Sequence, residues 1–564
     1  MQQQPQKFPK FQTSSILEST TTTHPKIKPL LCLSHRWIDI ETKKPRKLRV
    51  YFSKAVSTYP HGKRVEDSQT LERAVQIFKT PSQLSKVRFQ SSQSESFGVM
   101  RLLIMKHLSS KLALDLSFSS FWLTNKDQCR ILFRRLASFE SDANFYLLLN
   151  RLYSLKPQLK CLQQFRVFRK VSVSLEGYSN PFGKSIILSS LKKLRKLQQL
   201  DLTMHCWENG ADEFLGNLAL TLPKFSLLRN LHLMIMANPV LQSSLILLFQ
   251  SFSAMKCLAD LSLDFSACTM LSDNQNTKCF DSCLIQKFSL ELFKNLDDKS
   301  LSQFFQILKN LTQLKTLNLG FSSSDMMTNQ SLDEFSSILG TLCSLSSLRL
   351  TFTNALKTNN FVQAIASALK SLEKLTHLKF WLHECYSDET QFQHLFLNLR
   401  FLKSLRFLDI NTGWCQEITD NNLKSLGESF QELDLLQYFS FESYSPSSIT
   451  DQGGVVLAGR MKHLGSLRSL TLQLVGNTNL TEKTLDELAQ SLKSLDSLYS
   501  VTLCFKESKK MINLDKLFKT LKEMKNLSVN LWFPGYKFKG QSGKLMNQEK
   551  FIYFHYMNNQ TQDW

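Results

Sequence analysis

Apolar positions recur through most of the chain in one phrase, L-x-x-L-x-x-L-x-L. It reads LRKLQQLDL at 194–202, LTQLKTLNL at 311–319, LCSLSSLRL at 342–350 and LEKLTHLKF at 372–380. It returns as LKSLRFLDI at 402–410, LGSLRSLTL at 464–472 and LDSLYSVTL at 495–503. Taking the third apolar position as an anchor gives Val171, Leu200, Leu231, Leu261, Phe288, Leu317, Leu348, Leu378, Leu408, Phe439, Leu470, Val501 and Val529. Successive anchor numbers differ by 29, 31, 30, 27, 29, 31, 30, 30, 31, 31, 31 and 28. All steps fall within two of 29, a regularity chance does not produce. The last phrase, MKNLSVNL, is a residue short.

Each repeat has two parts. The closing x-L-x-L alternates apolar and polar with period two, which predicts a short strand with one buried face. Between strands the period changes. Leu332, Phe335, Ile338 and Leu339 fall at steps of three and four, on one face of a helix. Ile418-Thr419-Asp420, Ile449-Thr450-Asp451 and Leu480-Thr481-Glu482 mark helix starts. There a Thr or Asp oxygen accepts from free helix N–H groups, and an acid suits the dipole. One strand–helix pair cannot bury its apolar faces alone. Stacking many pairs makes a continuous core, so the predicted fold is an α/β solenoid with parallel strands on the concave face and helices on the convex face.

The leucine phrases, with ITDNNLKSLGESF at 418–430, ITDQGGVVLAGRM at 449–461 and LTEKTLDELAQSL at 480–492, resemble the ribonuclease-inhibitor-like class of leucine-rich repeat proteins. The resemblance covers about residues 160–535 and implies a horseshoe. It departs from that class in a longer period and in fewer glycines at the helix start. It says much about fold and little about function.

The expected organisation has four parts: a flexible basic arm over 1–45, worn repeats over 46–165, the solenoid over 166–535, and a terminal cap or tail over 536–564. The worn repeats rest on Leu114 and Val87. Toward the first anchor, 171 − 114 = 57, close to two repeats, and 114 − 87 = 27 is close to one.

Composition then narrows the class. The 564 residues are 42% hydrophobic and 21% charged, enough for a large core. No run of 18 apolar residues exists, so no membrane span is expected. The start, MQQQPQKFPKFQTSS, lacks the apolar stretch of a secretory signal. Twelve scattered cysteines without CxxC spacing then read as reduced and mostly buried, and the compartment as intracellular, cytoplasmic or nuclear. The 69 Lys and Arg against 47 Asp and Glu give +22, which suggests an acidic partner.

The concave face does not hold that charge. Its positions one before, one after and three after each anchor from Val171 to Val501 number 36. They contain four bases (Lys170, Lys287, Arg349, Lys379) and six acids (Asp201, Asp260, Asp264, Glu291, Asp409, Glu442). Four minus six argues against nucleic acid in the bowl. The same face offers one aromatic cluster. His377, Phe407 and Tyr438 occupy one position on three consecutive repeats, with Trp381 nearby and Lys379, Asp409, Asn411 and Glu442 around it. Aromatics ringed by polar groups have the composition of a binding hot spot, and these eight are the candidate partner-binding residues. The plainer alternative is rings that only shield one another.

The base has two other homes. Residues 1–64 carry 13 Lys and Arg. A ladder eight residues before the anchor holds Lys192, Lys309, Lys370, Arg400, Lys462 and Lys493. A cation there offsets a helix dipole by about 0.3–1 kcal/mol. The alternative is an edge that docks an acidic surface.

Chemical motifs fall away. GYSNPFGKS at 177–185 imitates a phosphate-binding loop but has five residues, not four, before Gly-Lys, and Pro181 has no N–H. Cys279 and Cys283 lack a nearby histidine. His383, Cys385, His394 and Cys415 read as turn and core residues, not a zinc set. No catalytic constellation stands out, so no cofactor or metal is expected and the chain is read as a non-enzymatic scaffold for a folded, acidic protein partner. Three other readings stay open. One is a small-GTPase regulator, by resemblance to GTPase-activating members of the repeat class, although their acidic tail is missing. The second is a substrate receptor of a ubiquitin ligase. The third is a nucleic-acid-associated protein acting through the arm.

Overall fold

Each of the thirteen anchors pairs with the next at the same register in one parallel sheet. Val171 lies opposite Leu200, Leu261 opposite Phe288, Leu378 opposite Leu408, and Val501 opposite Val529. The two shortest steps, into Phe288 and Val529, keep register as well as the longer ones, because the variation is absorbed outside the strands. The anchors number the rungs 1 to 13 below. This is a computed structural model. It describes residues 169–533 apart from segments of the connecting loops, and strand segments alone at 30–33, 36–44, 47–54, 86–91, 113–119, 143–150 and 552–554.

The predicted alternation is seen directly. On rung 7, Ser347–Thr353, Leu348, Leu350 and Phe352 are buried while Ser347, Arg349, Thr351 and Thr353 face the concave surface. Helices return the chain along the convex side, for example Asn329–Thr341, Asp420–Ser429 and Glu482–Leu492. The chain is a leucine-rich repeat solenoid, with one apolar core running between sheet and helices. Between rungs 3 and 7 nine phenylalanines join the aliphatic residues of that core. Phe288 replaces leucine at an anchor and is flanked by Phe249 and Phe304, with ring centroids 6.3 and 6.1 Å away.

Thr419, Thr450 and Thr481 are N-caps, accepting from Asn421, Gln452 and Lys483 N–H at 3.3, 3.1 and 3.2 Å. The acid that follows each cap has a second task the sequence did not reveal. Asp420 accepts from the N–H and hydroxyl of Thr450 on the next repeat, at 2.8 and 2.6 Å. Asp451 does the same for Thr481 and adds Thr484 at 2.7 Å. A file of acid–threonine bonds thus ties helix starts together. The close approach needs Gly453, since a Cβ there would lie 2.6 Å from the Asp420 Cα.

Upstream, Lys47–Lys54, Lys86–Ser91, Ala113–Ser119 and Ala143–Asn150 run parallel into rung 1, with Val87 opposite Leu114. Ala143–Asn150 is the strand that the double step from Leu114 to Val171 requires. Leu30–Leu33 and Arg36–Lys44, which the sequence assigned to the arm, pair antiparallel with each other, and the second pairs with Lys47–Lys54. The alternation Trp37-Ile38-Asp39-Ile40 was hidden there beneath the dominant basic charge. In the tail, Ile552–Phe554 pairs parallel with Ser528–Trp532 beyond rung 13. The rest of 1–29 and 536–564, the segment 177–185, and Cys279, Cys283 and Cys385 lie outside the described residues.

Candidate interaction surface

Identical register on rungs 8, 9 and 10 brings the three candidate rings into one column. His377 stacks on Phe407 with centroids 5.7 Å apart and planes at 23°. Phe407 stacks on Tyr438 at 4.2 Å and 4°. The same position holds Ser347 on rung 7 and Ser469 on rung 11, so no ring caps either end of the stack. Because the rings stand on the sheet and lean on one another, they offer a partner their edges, the Tyr438 hydroxyl and the two end faces. His377 is exposed and the other two are half-buried. Burial, and then the Asp409 charge, push the Tyr438 phenol up, so it remains a hydroxyl donor.

The polar residues around the column are engaged with one another. Lys379 Nζ lies 3.0 Å from Asp409 Oδ2 and 3.7 Å from the Trp381 ring centroid. Arg349 approaches the same indole at 5.3 Å. Trp381 is therefore flanked by two cations, and its Nε1 is buried without a hydrogen-bond partner. Asp409, expected on the open face, is only 6% exposed, since Lys379 closes over it. Asn411 donates to Glu442 Oε2 at 2.9 Å, and Gln473 to Oε1 at 2.9 Å. Tyr444 donates to Oε2 at 3.2 Å. Burial pushes the Glu442 carboxyl up, partly countered by the bonds from Tyr444 and Gln473. The eight candidates thus divide into a stacked column of three rings and a set of five side chains that engage one another. Register would have found Gln473, which shares its position with Asn411 and Glu442. Tyr444, beyond the strand, had no such signal.

Trp414 was also passed over. It is 57% exposed, with φ 62, in the turn after rung 9. A left-handed backbone is unusual for tryptophan and holds the indole in solvent.

All six ladder bases are exposed. Lys309 ends the helix Asp298–Lys309, and Lys370 follows Phe361–Leu369 directly. Arg400 and Lys462 lie in single 3-10 turns after their helices, and Lys493 caps Glu482–Leu492. Lys370 and Arg400 reach the Phe401 ring at 5.9 and 5.1 Å, and Lys493 meets Glu523 at 3.8 Å.

Of the four residues weighed as a zinc set, His394 Nδ1 lies 2.6 Å from Gln363 Oε1, and the buried Cys415 thiol donates to the Leu382 carbonyl at 3.7 Å. Among the described residues, no group of three or more His, Cys, Asp or Glu side chains is placed to hold a metal ion. Among them also, no helix is long and apolar enough to cross a membrane.

No protein-family model matches the chain, and no curated protein is significantly similar to it. Solved structures do show likeness. One is the crystal structure of a complex of Rad7 and Elc1 in yeast, with 14% identity, 83% of this chain and 87% of that chain covered, and a TM-score of 0.34.

Proposed function

We propose that this solenoid, of the ribonuclease-inhibitor-like kind, is a non-enzymatic, intracellular scaffold that holds a folded protein partner on its concave face over rungs 8 to 10. The observation that carries the reading is the column His377–Phe407–Tyr438, set on a sheet whose backbone fixes its position and uncapped at both ends. Preorganised aromatic rings lose little side-chain freedom on binding, which is why such residues dominate interface energies. Trp381, Lys379, Asp409, Asn411 and Glu442 lie on the same rungs beside that platform and engage one another. The acidity expected of the partner gains no support from this face, because Lys379 is already neutralised by Asp409.

Partners captured on the wild-type chain, identified and then purified, provide the test. Phe407→Ala with Tyr438→Ala should weaken the purified complex by about 2 kcal/mol or more, roughly 30-fold in Kd. Unchanged affinity in a folded double variant removes these rungs as the site.

A further inference from the structure

The turns that lead from each helix into the next strand form one edge of the solenoid. They run from eight to two residues before each anchor. Their described residues carry seventeen Lys and Arg against five Asp and Glu, an excess of twelve positive charges. Every one of these charged residues is exposed, and ten of the thirteen rungs contribute a base. Two of the five acids, Glu432 and Glu523, are each spent on one edge lysine, Lys403 at 3.4 Å and Lys493 at 3.8 Å. More than half of the net charge of the chain, +22, therefore lies on this edge.

Helix dipoles account for the ladder eight residues before the anchor, since a cation at a helix C-terminus is stabilised there. They do not account for a second row of five. Arg169, Arg229, Lys315, Arg406 and Arg468 lie two residues before their anchors, where the chain has left the helix. At each of the five, the backbone carbonyl accepts two N–H groups from the next rung; the Arg406 carbonyl takes Gln437 at 2.8 Å and Tyr438 at 2.9 Å. That pairing fixes the row to the spacing of the sheet, about 4.8 Å per rung. The edge is thus a long file of cations. Twelve rung steps at about 4.8 Å give roughly 58 Å. Its exposed rings sit beside bases: Phe401 between Lys370 and Arg400, and Tyr499, 56% exposed, beside Arg468, whose carbonyl its N–H contacts at 2.9 Å.

We propose that this edge binds the sugar–phosphate backbone of a nucleic acid. A polynucleotide presents a charge about every 3.4 Å along each strand, a continuous line that a file of separate cations matches. A folded acidic protein presents a compact patch, which calls for bases clustered on a few rungs. Phe401 and Tyr499 are placed to stack on unpaired bases. The concave face, with six acids against four bases, offers no such file of cations, which keeps the strand on the edge and leaves the aromatic column to the protein partner.

The test measures binding of the full chain to a labelled DNA duplex of about 30 base pairs and to an RNA strand of similar length, over about 50–200 mM salt. The triple variant Lys315→Ala, Arg406→Ala, Arg468→Ala should weaken binding at least tenfold, alike for all sequences. Its slope of log K against log salt should become shallower by about 2.7 for duplex, or about 2.1 for a single strand, from about 0.9 and 0.7 per phosphate contact. The two probes decide between DNA and RNA. A second triple, Lys374→Ala, Arg400→Ala, Lys462→Ala, should act in the same direction. Phe407→Ala with Tyr438→Ala should leave the slope unchanged, which separates this surface from the concave one. Three results overturn the proposal: slopes unchanged in both triples, a slope abolished by Lys43→Ala, Lys44→Ala, Arg46→Ala and Lys47→Ala alone, or tighter binding to polyglutamate or phosphatidylserine vesicles than to either nucleic acid.

Discussion

Lys379 shows how one side chain can serve two neighbours at once. Its ammonium neutralises a nearly buried Asp409 at 3.0 Å and lies against the Trp381 face at 3.7 Å. Removing it leaves a carboxylate in a place that water reaches poorly. Lys379→Ala should therefore cost about 1–3 kcal/mol, read as a lowered Tm, whereas His377→Ala, on an exposed ring, should stay within about 0.5 kcal/mol of wild type. A Lys379→Ala protein as stable as wild type would make this lysine a free contact residue. At this scale the sequence identified the rings and their alignment, because alignment follows from period alone. It left open whether the neighbouring charges face a partner or each other, and burial of Asp409 decides for each other.

Between elements, the acid after each N-cap links one helix to the next. Burial alone would push the Asp451 carboxyl up, but bonds from the hydroxyls and N–H groups of Thr481 and Thr484 outweigh it and hold it below the ordinary aspartate range. A carboxyl lowered on folding stabilises the native state above its unfolded value, near 3.9. That stability is lost as pH falls through the lower, folded value. Asp451→Ala should cost about 1–3 kcal/mol at neutral pH, and the gap to wild type should close as pH falls below about 4. Urea titrations at several pH values check both, and a gap independent of pH would mean that the charge does not matter. Sequence reading recognised Thr450-Asp451 as a helix start and credited the acid with dipole compensation. Its partner stands a full repeat away at Thr481, and no local rule connects them.

Over the whole molecule, one direction of travel repeats. Every described helix returns between parallel strands and so points the same way, and helix C-termini collect on one edge and N-termini on the other. Dipole rules applied to each repeat separately then line up the ladder of bases on that edge, and the second row two residues before the anchors adds to it. The single sheet also shapes unfolding. Each rung contacts only its neighbours, so coupling passes through the middle of the stack. Leu408 is fully buried on rung 9. Leu408→Asp should split the cooperative transition into two, one for each side of the break, in a denaturant titration followed by circular dichroism. A single shifted transition would show coupling that reaches beyond nearest neighbours.

The period of the leucines determined the repeat, the faces of its strands and helices, and the thirteen-rung register, because each depends on spacing along the chain. It also placed His377, Phe407 and Tyr438 in one file. Tertiary structure decided which polar groups satisfy each other across rungs: Lys379 with Asp409, Glu442 with Asn411, Gln473 and Tyr444, Asp451 with Thr481. Those outcomes depend on side-chain reach between segments one repeat apart in the chain, a distance in space that stacking sets and linear pattern does not carry.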